Sequence, residues 1–391
     1  MKQAKNSPLI HFLTFCLLLA SSVAGYAQEI RVGAEQAQIY LPLLQGKKVG
    51  VVGNQTSILP NSKQHLVDFL LGNKIEVVKV FVPEHGFRGT ADAGETVNNS
   101  VDTKTGLPIV SLYGANKKPS PEQLKDLDVL VFDLQDVGVR FFTYISTLHY
   151  VMEASAEQGK SLIVLDRPNP NGNYVDGPML KKGFESFVGM HPIPIVHGLS
   201  IGELAQMING EKWLKGGLNA KLTVVPVANW THTTPYELPV KPSPNLPNPL
   251  SIRLYPSTCL FEGTVVSLGR GTYFPFQVYG YPDKSFGDFS FTPISIDGMS
   301  KTPPHQDKVC YGRDLRTESL AQPFTLSYLM EAYARFEMKE KFFNSYFNTL
   351  VGTDELKMQI LAGKTEAEIR DTWKQGLRDY AQLRKKYLLY P

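Results

Sequence analysis

From residue 47 onward, short apolar runs rich in β-branched residues alternate with stretches whose apolar positions recur every three or four residues. The runs K-V-G-V-V-G (48–53), I-E-V-V-K-V-F-V (75–82), D-V-L-V-F-D-L (128–134), S-L-I-V-L-D (161–166) and K-L-T-V-V-P-V (221–227) read as strands. Residues 107–114 form a weaker candidate, and I-P-I-V (193–196) another. Between them, residues 65–71 and 143–158 have helical spacing. A further helix is expected from Pro121, with Ser120 as its N-cap, and another over 200–210, opened by Ser200 and closed by Gly210. Such alternation predicts an α/β fold: a Rossmann-like, mostly parallel sheet covered by helices on both faces. The first strand is followed by G-N-Q-T-S and not by G-x-G-x-x-G, so no dinucleotide is inferred.

The pattern changes after residue 235. The stretch P-Y-E-L-P-V-K-P-S-P-N-L-P-N-P, within 235–256, holds so many prolines that no regular helix is expected there. It reads as a domain junction or a rigid binding loop. Beyond it come an aromatic region with Tyr273, Phe274, Phe276, Tyr279 and Tyr281, and a helical end from about residue 325. The expected organisation is a Rossmann-like domain over 28–254 followed by a smaller α+β C-terminal domain over 255–391.

Composition narrows the class. The 391 residues are 42% hydrophobic and 20% charged, with a formal net charge of +3. That is ordinary for a globular protein, and no Lys/Arg run argues for a nucleic-acid partner. At the N-terminus, Lys2 and Lys5 precede an apolar run, Phe12 to Ala20, and small residues lead to Ala27. This is the pattern of a secretory signal peptide, with cleavage expected after Ala27 and a periplasmic or secreted product that does not span a membrane. Cys16 sits in the middle of the apolar run, a poor place for a lipidated cysteine. Cys259 and Cys310 would remain, as a disulfide or as buried thiols.

Polar clusters close almost every expected strand, where an open parallel sheet binds its ligands. The clusters are Asn54-Gln55-Thr56-Ser57; Glu84, His85 and Arg88; Asp133, Asp136 and Arg140; Asp166, Arg167 and Asn169; and His197-Gly198. Glu84, in V-P-E-H-G-F-R-G, is a candidate general acid or base, or else a solvated turn residue. His85 could orient it or serve structurally. Glu95 could be a second loop carboxylate. Glu203 completes an S-x-x-E capping box with Ser200, a sufficient structural role, yet follows the presumed rim closely. Arg88, Arg140, Arg167 and Arg270 are candidates for a substrate carboxylate or for ion pairs with nearby aspartates. Phe141, Phe142 and Tyr144 could stack on sugar faces or pack in the core.

The motifs V-P-E-H-G-F-R-G, D-V-G-V-R-F-F-T-Y, L-D-R-P-N-P, P-I-V-H-G-L-S-I-G-E-L-A, P-S-P-N-L-P and L-G-R-G-T-Y occur in that order. Over residues 45–391 the chain resembles the exo-β-N-acetylmuramidases of bacterial peptidoglycan recycling. The resemblance implies two domains with the site between them, no cofactor or metal, and release of N-acetylmuramic acid from the non-reducing ends of peptidoglycan-derived muropeptides. It implies Glu84 and Glu203 as the catalytic pair. His85, Arg88, Asp136, Arg140, Tyr144, Arg167, Asn169, His197, Asn245 and Arg270 are the candidate substrate-binding residues, with Arg88 or Arg140 on the lactyl carboxylate. One departure is Phe142, where the resemblance leads us to expect a tyrosine. The competing readings are a non-catalytic sugar-binding protein, and a metal-dependent hydrolase built on His85, His197, Asp133 and Asp136.

Overall fold

A computed structural model describes residues 28–84, 86–88, 100–317 and 323–391. Residues 1–27, where a signal peptide is expected, His85 and Glu95 lie outside the described residues. Twelve strands build the site and its frame. Nine come before the proline-rich stretch: β1 Lys48–Gly53, β2 Glu76–Val82, β3 Ser100–Val101, β4 Pro108–Ser111, β5 Val129–Asp133, β6 Ser161–Leu165, β7 Asp176–Met179, β8 Pro194–Val196 and β9 Lys221–Val225. The other three are β10 Val278–Tyr281, β11 Phe289–Phe291 and β12 Cys310–Asp314. The helices needed are α1 Ala37–Leu44, α2 Leu66–Gly72, α3 Pro121–Leu124, α4 Tyr144–Glu157, α5 Ile201–Gly210, α6 Pro249–Thr258, α7 Ser327–Arg335, α8 Phe347–Val351, α9 Glu355–Leu361 and α10 Glu366–Arg384.

The main sheet has seven strands in the order β9-β6-β5-β1-β2-β4-β3. All pairings are parallel except β3 with β4. The chain fills one side of β1 with β2 and β4, then crosses to the other with β5, β6 and β9, which makes the junction of β1 and β5 the switch point. Period-2 alternation divides the strand residues between two cores. Val52, Phe81, Leu130, Phe132 and Val164 face one cluster with Leu148, Val151 and Met152 of α4 and Leu204, Met207 and Ile208 of α5. Val49, Val51, Val80, Val131, Ile163 and Val225 face the other, with Tyr40 and Leu44 of α1 and Leu66 and Leu70 of α2. The expected parallel sheet is therefore present.

Two elements differ from expectation. The 193–196 strand does not join the main sheet; β8 pairs antiparallel with β7 in a separate ribbon. A regular helix, α6, occupies the end of the proline-rich stretch. Asn248 caps it by accepting from Ser251 N at 2.9 Å, and Pro249 takes its first turn, where a missing N–H costs nothing. Pro256 lies inside the helix and cannot donate to the carbonyl of Ile252. Asn171 Nδ2 donates to that carbonyl instead, at 3.2 Å, so the orphaned acceptor is satisfied from another part of the chain. The boundary expected after residue 254 falls inside this helix.

The C-terminal part holds the antiparallel sheet β10-β12-β11 and the helices α7 to α10. Its last helix returns to the first half. Arg370 grips Asp176 at 2.9 Å, Tyr380 donates to His197 O at 2.7 Å, and Leu389 N donates to Glu203 at 2.8 Å. Tyr390 OH donates to Asp166 Oδ2. That carboxylate, wholly buried at the end of β6, also accepts from Ser200 Oγ at 2.6 Å, Gly202 N at 2.8 Å and Arg167 N at 2.9 Å. Gly202 is obligatory, because a Cβ there would lie 2.7 Å from Asp166 Cγ and 2.6 Å from Val224 Cγ1.

Burial lifts the Asp166 carboxyl from 3.8 to about 6, against the pull of its donors. A pKa raised on folding contributes stability that is complete below the unfolded value and is lost as pH rises through the folded one. Urea unfolding at pH 4 and at pH 6.5 should show the wild type losing on the order of 2 kcal/mol more than Asp166→Asn over that window. Equal losses would disprove the assignment.

Candidate active site

β2 ends in the buried Val82, and Pro83 stops the ladder. Gly86 takes φ 73 and donates to Pro83 O at 3.4 Å, turning the chain directly after Glu84. The half-buried Glu84 is thereby left at the tip of a parallel strand. It opens into a cavity of about 650 Å³. Tyr113, just past β4, lines the same cavity and hydrogen-bonds Glu84. Burial first, then the charge of Glu84, pushes the Tyr113 hydroxyl up to about 12, so it remains a proton donor toward the carboxylate at any working pH.

The wall opposite comes from the C-terminal part. Gly269 (φ 84) and Gly271 (φ 80) bracket Arg270, and a Cβ on Gly271 would lie 2.5 Å from Pro303 and 2.6 Å from Ile294 O. This tight turn aims Arg270 at the cavity, over the Phe276 ring at 5.2 Å. Its Nε and Nη2 both donate to Glu262 Oε1, at 3.1 and 2.6 Å. Glu262 lines the cavity as a second carboxylate, and Lys301 as a second cation. Tyr346 senses both carboxylates: burial raises its hydroxyl pKa most, and Cys259, Glu262 and Glu84 add to the rise. Cys259 and Cys310 are both free, buried thiols.

The remaining walls are aromatic or proline-rich. Phe141 and Phe142 come from the loop before α4, Tyr144 from the first position of that helix, and Phe187 from the loop between β7 and β8. The Tyr144 hydroxyl is fully used: it accepts from Asn54 Nδ2 at 2.8 Å and donates to Pro242 O at 3.2 Å. Tyr144 therefore offers its ring, edge-on to Phe142 at 4.7 Å. Asn245 donates from Nδ2 to Met299 O at 2.8 Å, which fixes the orientation of its amide.

Of the expected residues, the cavity brings together Glu84, Tyr144, Asn245 and Arg270. The other described ones lie elsewhere for identifiable reasons. Arg88 is clamped by Asp102, with Nε to Oδ1 at 2.9 Å and Nη2 to Oδ2 at 2.7 Å, and lies against Phe87. That clamp holds Asp102 well below the usual carboxylate range. Arg140 is wholly buried and donates to the carbonyls of Pro178 (3.0 Å), Ile193 (2.8 Å) and Val351. Burial without a counter-charge lowers it to about 9. Arg167 pairs with Asp133 through Nε–Oδ1 at 2.6 Å and Nη2–Oδ2 at 2.9 Å, both groups buried. Asn169 donates to Leu199 O at 2.9 Å and accepts from Asn171 N. Asp136 accepts from Gly138 N at 2.6 Å and lies 3.7 Å from the buried His197. Among the described residues, no three His, Cys, Asp or Glu side chains converge as a metal site.

Glu203 stands apart from Glu84, the other member of the expected pair. It has no exposed surface and does not line the cavity. Oε2 accepts from Ser200 N at 2.9 Å, closing the capping box at the start of α5. Oε1 accepts from Leu389 N at 2.8 Å and meets His232 Nε2 at 3.0 Å. Sequence reasoning missed Glu262, Tyr113, Lys301 and Tyr346. Only Glu262 carried a signal, eight residues before an arginine set between glycines.

The fold and the cavity are those of a glycosidase-like α/β protein whose site is completed by its C-terminal part. Two family models match, the N-terminal model of the exo-β-N-acetylmuramidase NamZ over residues 49–250 and its C-terminal model over 253–390. The chain belongs to this family. It is 39% identical over 372 residues to the peptidoglycan β-N-acetylmuramidase NamZ of Bacillus subtilis (strain 168), covering 90% of this chain and 89% of that protein. Two crystal structures of DUF1343 family proteins from Bacteroides fragilis share the fold. One has a TM-score of 0.86 at 47% identity, the other 0.74 at 31%, each covering 93% of this chain and 99% of its own.

Glu203→Ala would leave Ser200 N, Leu389 N and His232 without their acceptor. It should lower stability by about 3 kcal/mol in urea unfolding. Glu203→Gln, folded at low temperature, should keep kcat within about threefold of wild type. A loss comparable with that from a cavity carboxylate would return Glu203 to the chemistry.

Proposed function

We propose that this protein is an exo-acting glycoside hydrolase that releases N-acetylmuramic acid from the non-reducing ends of peptidoglycan fragments. The observation that carries the reading is one cavity lined by both Glu84 and Glu262, carboxylates from the two parts of the chain. Glycoside hydrolysis requires an acid to protonate the leaving oxygen and a second group to stabilise or attack the anomeric carbon. A protein that only binds sugars has no such need. Family membership and the Bacillus subtilis relative point to the same chemistry.

In this proposal Glu84 is the proton donor. It stands at the end of a rigid strand, with the Tyr113 hydroxyl holding its carboxylate in place. Glu262, tied through Oε1 to Arg270, is the second carboxylate in place of Glu203. Arg270 and Lys301 supply the positive charge that the lactyl carboxylate of the sugar requires. Phe142, Tyr144 and Tyr255 form an aromatic wall for the pyranose face, and Phe142 performs this without the hydroxyl of a tyrosine. The basic, apolar and small residues of 1–27 support export, which would bring the enzyme to its cell-wall substrate.

Release of para-nitrophenol from para-nitrophenyl N-acetylmuramide measures the activity. With a disaccharide whose leaving group is a sugar, Glu84→Gln should lower kcat by about 10³-fold with the unfolding midpoint unchanged, and by much less with the para-nitrophenyl compound, whose leaving group needs little protonation. Glu262→Gln should also reduce kcat, and Arg270→Ala should raise KM. Full turnover of the disaccharide by Glu84→Gln would refute the assignment. Absence of turnover by the wild type would refute the function.

A further inference from the structure

A second cavity, of about 570 Å³, adjoins the first. Both volumes lie in the range of small-molecule sites, about 300–1,000 Å³. Leu246 lines both cavities. The chain from Lys241 to Leu246 is the partition: Ser243 and Asn245 line the first cavity, Lys241 the second. The partition is pinned, since Tyr144 OH donates to Pro242 O at 3.2 Å and Asn245 Nδ2 to Met299 O at 2.8 Å. Prolines 170, 235, 247 and 249 stiffen the second cavity.

Its charged lining is two cations, Lys241 and Arg253, against one carboxylate, Glu237. Neither cation forms an ion pair among the described residues. Arg88, Arg167, Arg270, Arg313, Arg316 and Arg370 each have a carboxylate partner, and Arg140, Arg378 and Arg384 donate to neutral oxygens. Arg253 projects from α6, the helix whose proline is rescued by Asn171, so its base is rigid. Uncommitted cations in a preformed cavity, one residue away from a glycosidase cleft, are complementary to an acidic extension of the same substrate.

We propose that the second cavity is a subsite for the glycan beyond the cleaved bond, where Lys241 and Arg253 bind the carboxylate of an acidic sugar. The inference rests on the reading of the first cavity as a muramidase site. In a glycan that alternates acidic and neutral sugars, the first leaving sugar is neutral and passes Leu246. The next one carries the lactyl carboxylate into the second cavity.

The test compares the wild type with the Lys241→Ala/Arg253→Ala double variant on three substrates. These are the para-nitrophenyl muramide, a peptide-free tetrasaccharide of alternating N-acetylmuramic acid and N-acetylglucosamine, and the same tetrasaccharide with its internal lactyl carboxylate reduced to an alcohol. The double variant should raise KM for the tetrasaccharide about tenfold, and the reduction should do the same to the wild type. The para-nitrophenyl compound, which has no sugar on the leaving side, serves as the reference for folding. Equal wild-type KM for the two tetrasaccharides would overturn the proposal. So would a double variant that changes all three substrates alike. Wild-type failure on every substrate would overturn the reading of the first cavity, and this one with it.

Discussion

The buried Asp133–Arg167 pair occupies the place where an open α/β sheet ordinarily receives its ligand. It lies at the carboxyl ends of β5 and β6, beside the switch point between β1 and β5, and both side chains are shut away from solvent. A bidentate pair in that setting is costly to break, because either charge alone would be stranded in the interior. Around it, Ser57 Oγ donates to Asp133 O, and Thr56 and Asn54 continue the network to the Tyr144 hydroxyl. The crevice is consequently filled by protein. The ligand space is displaced sideways to β2 and β4, where Glu84 and Tyr113 stand, and it needs a second wall.

The C-terminal part supplies that wall and is held by directed contacts from the same polar layer. Tyr390 reaches Asp166, Leu389 reaches Glu203, and Arg140 inserts its guanidinium among carbonyls from the β7–β8 ribbon and from Val351. Polar groups that look catalytic in sequence thus position the two halves on which the cavity depends. The Glu262–Arg270 pair is different, being partly exposed and facing open space. It keeps a carboxylate and a cation close together without sealing them, as a site for an anionic sugar requires.

Three arginines illustrate why a residue type in a strand-end loop does not settle its role. Arg88, Arg140 and Arg167 all follow strands, and each was a reasonable partner for a substrate carboxylate. Arg88 found Asp102 and Arg167 found Asp133, while Arg140 found only carbonyls. Arg270 lies outside the sheet domain altogether and is the one that faces the cavity. The difference is partner geometry, which is set by segments far apart in the chain.

The sequence by itself determined the parallel sheet, because near-continuous apolar runs such as 75–82 and 128–134 can be satisfied only by burial on both faces. It also determined that Glu84 ends a strand, since Pro83 and Gly86 fix the turn locally. It could not reveal α6, because the carbonyl orphaned by Pro256 is satisfied by Asn171, whose proximity is a tertiary fact. Nor could it separate Glu203 from Glu262. S-x-x-E supports both a cap and a catalytic role, and only the arrival of Leu389 and His232 shows that both oxygens of Glu203 are engaged. Local rules fix the backbone where neighbouring residues satisfy each other. Which carboxylate keeps an open face depends on which distant donors reach it, and only the folded chain decides that.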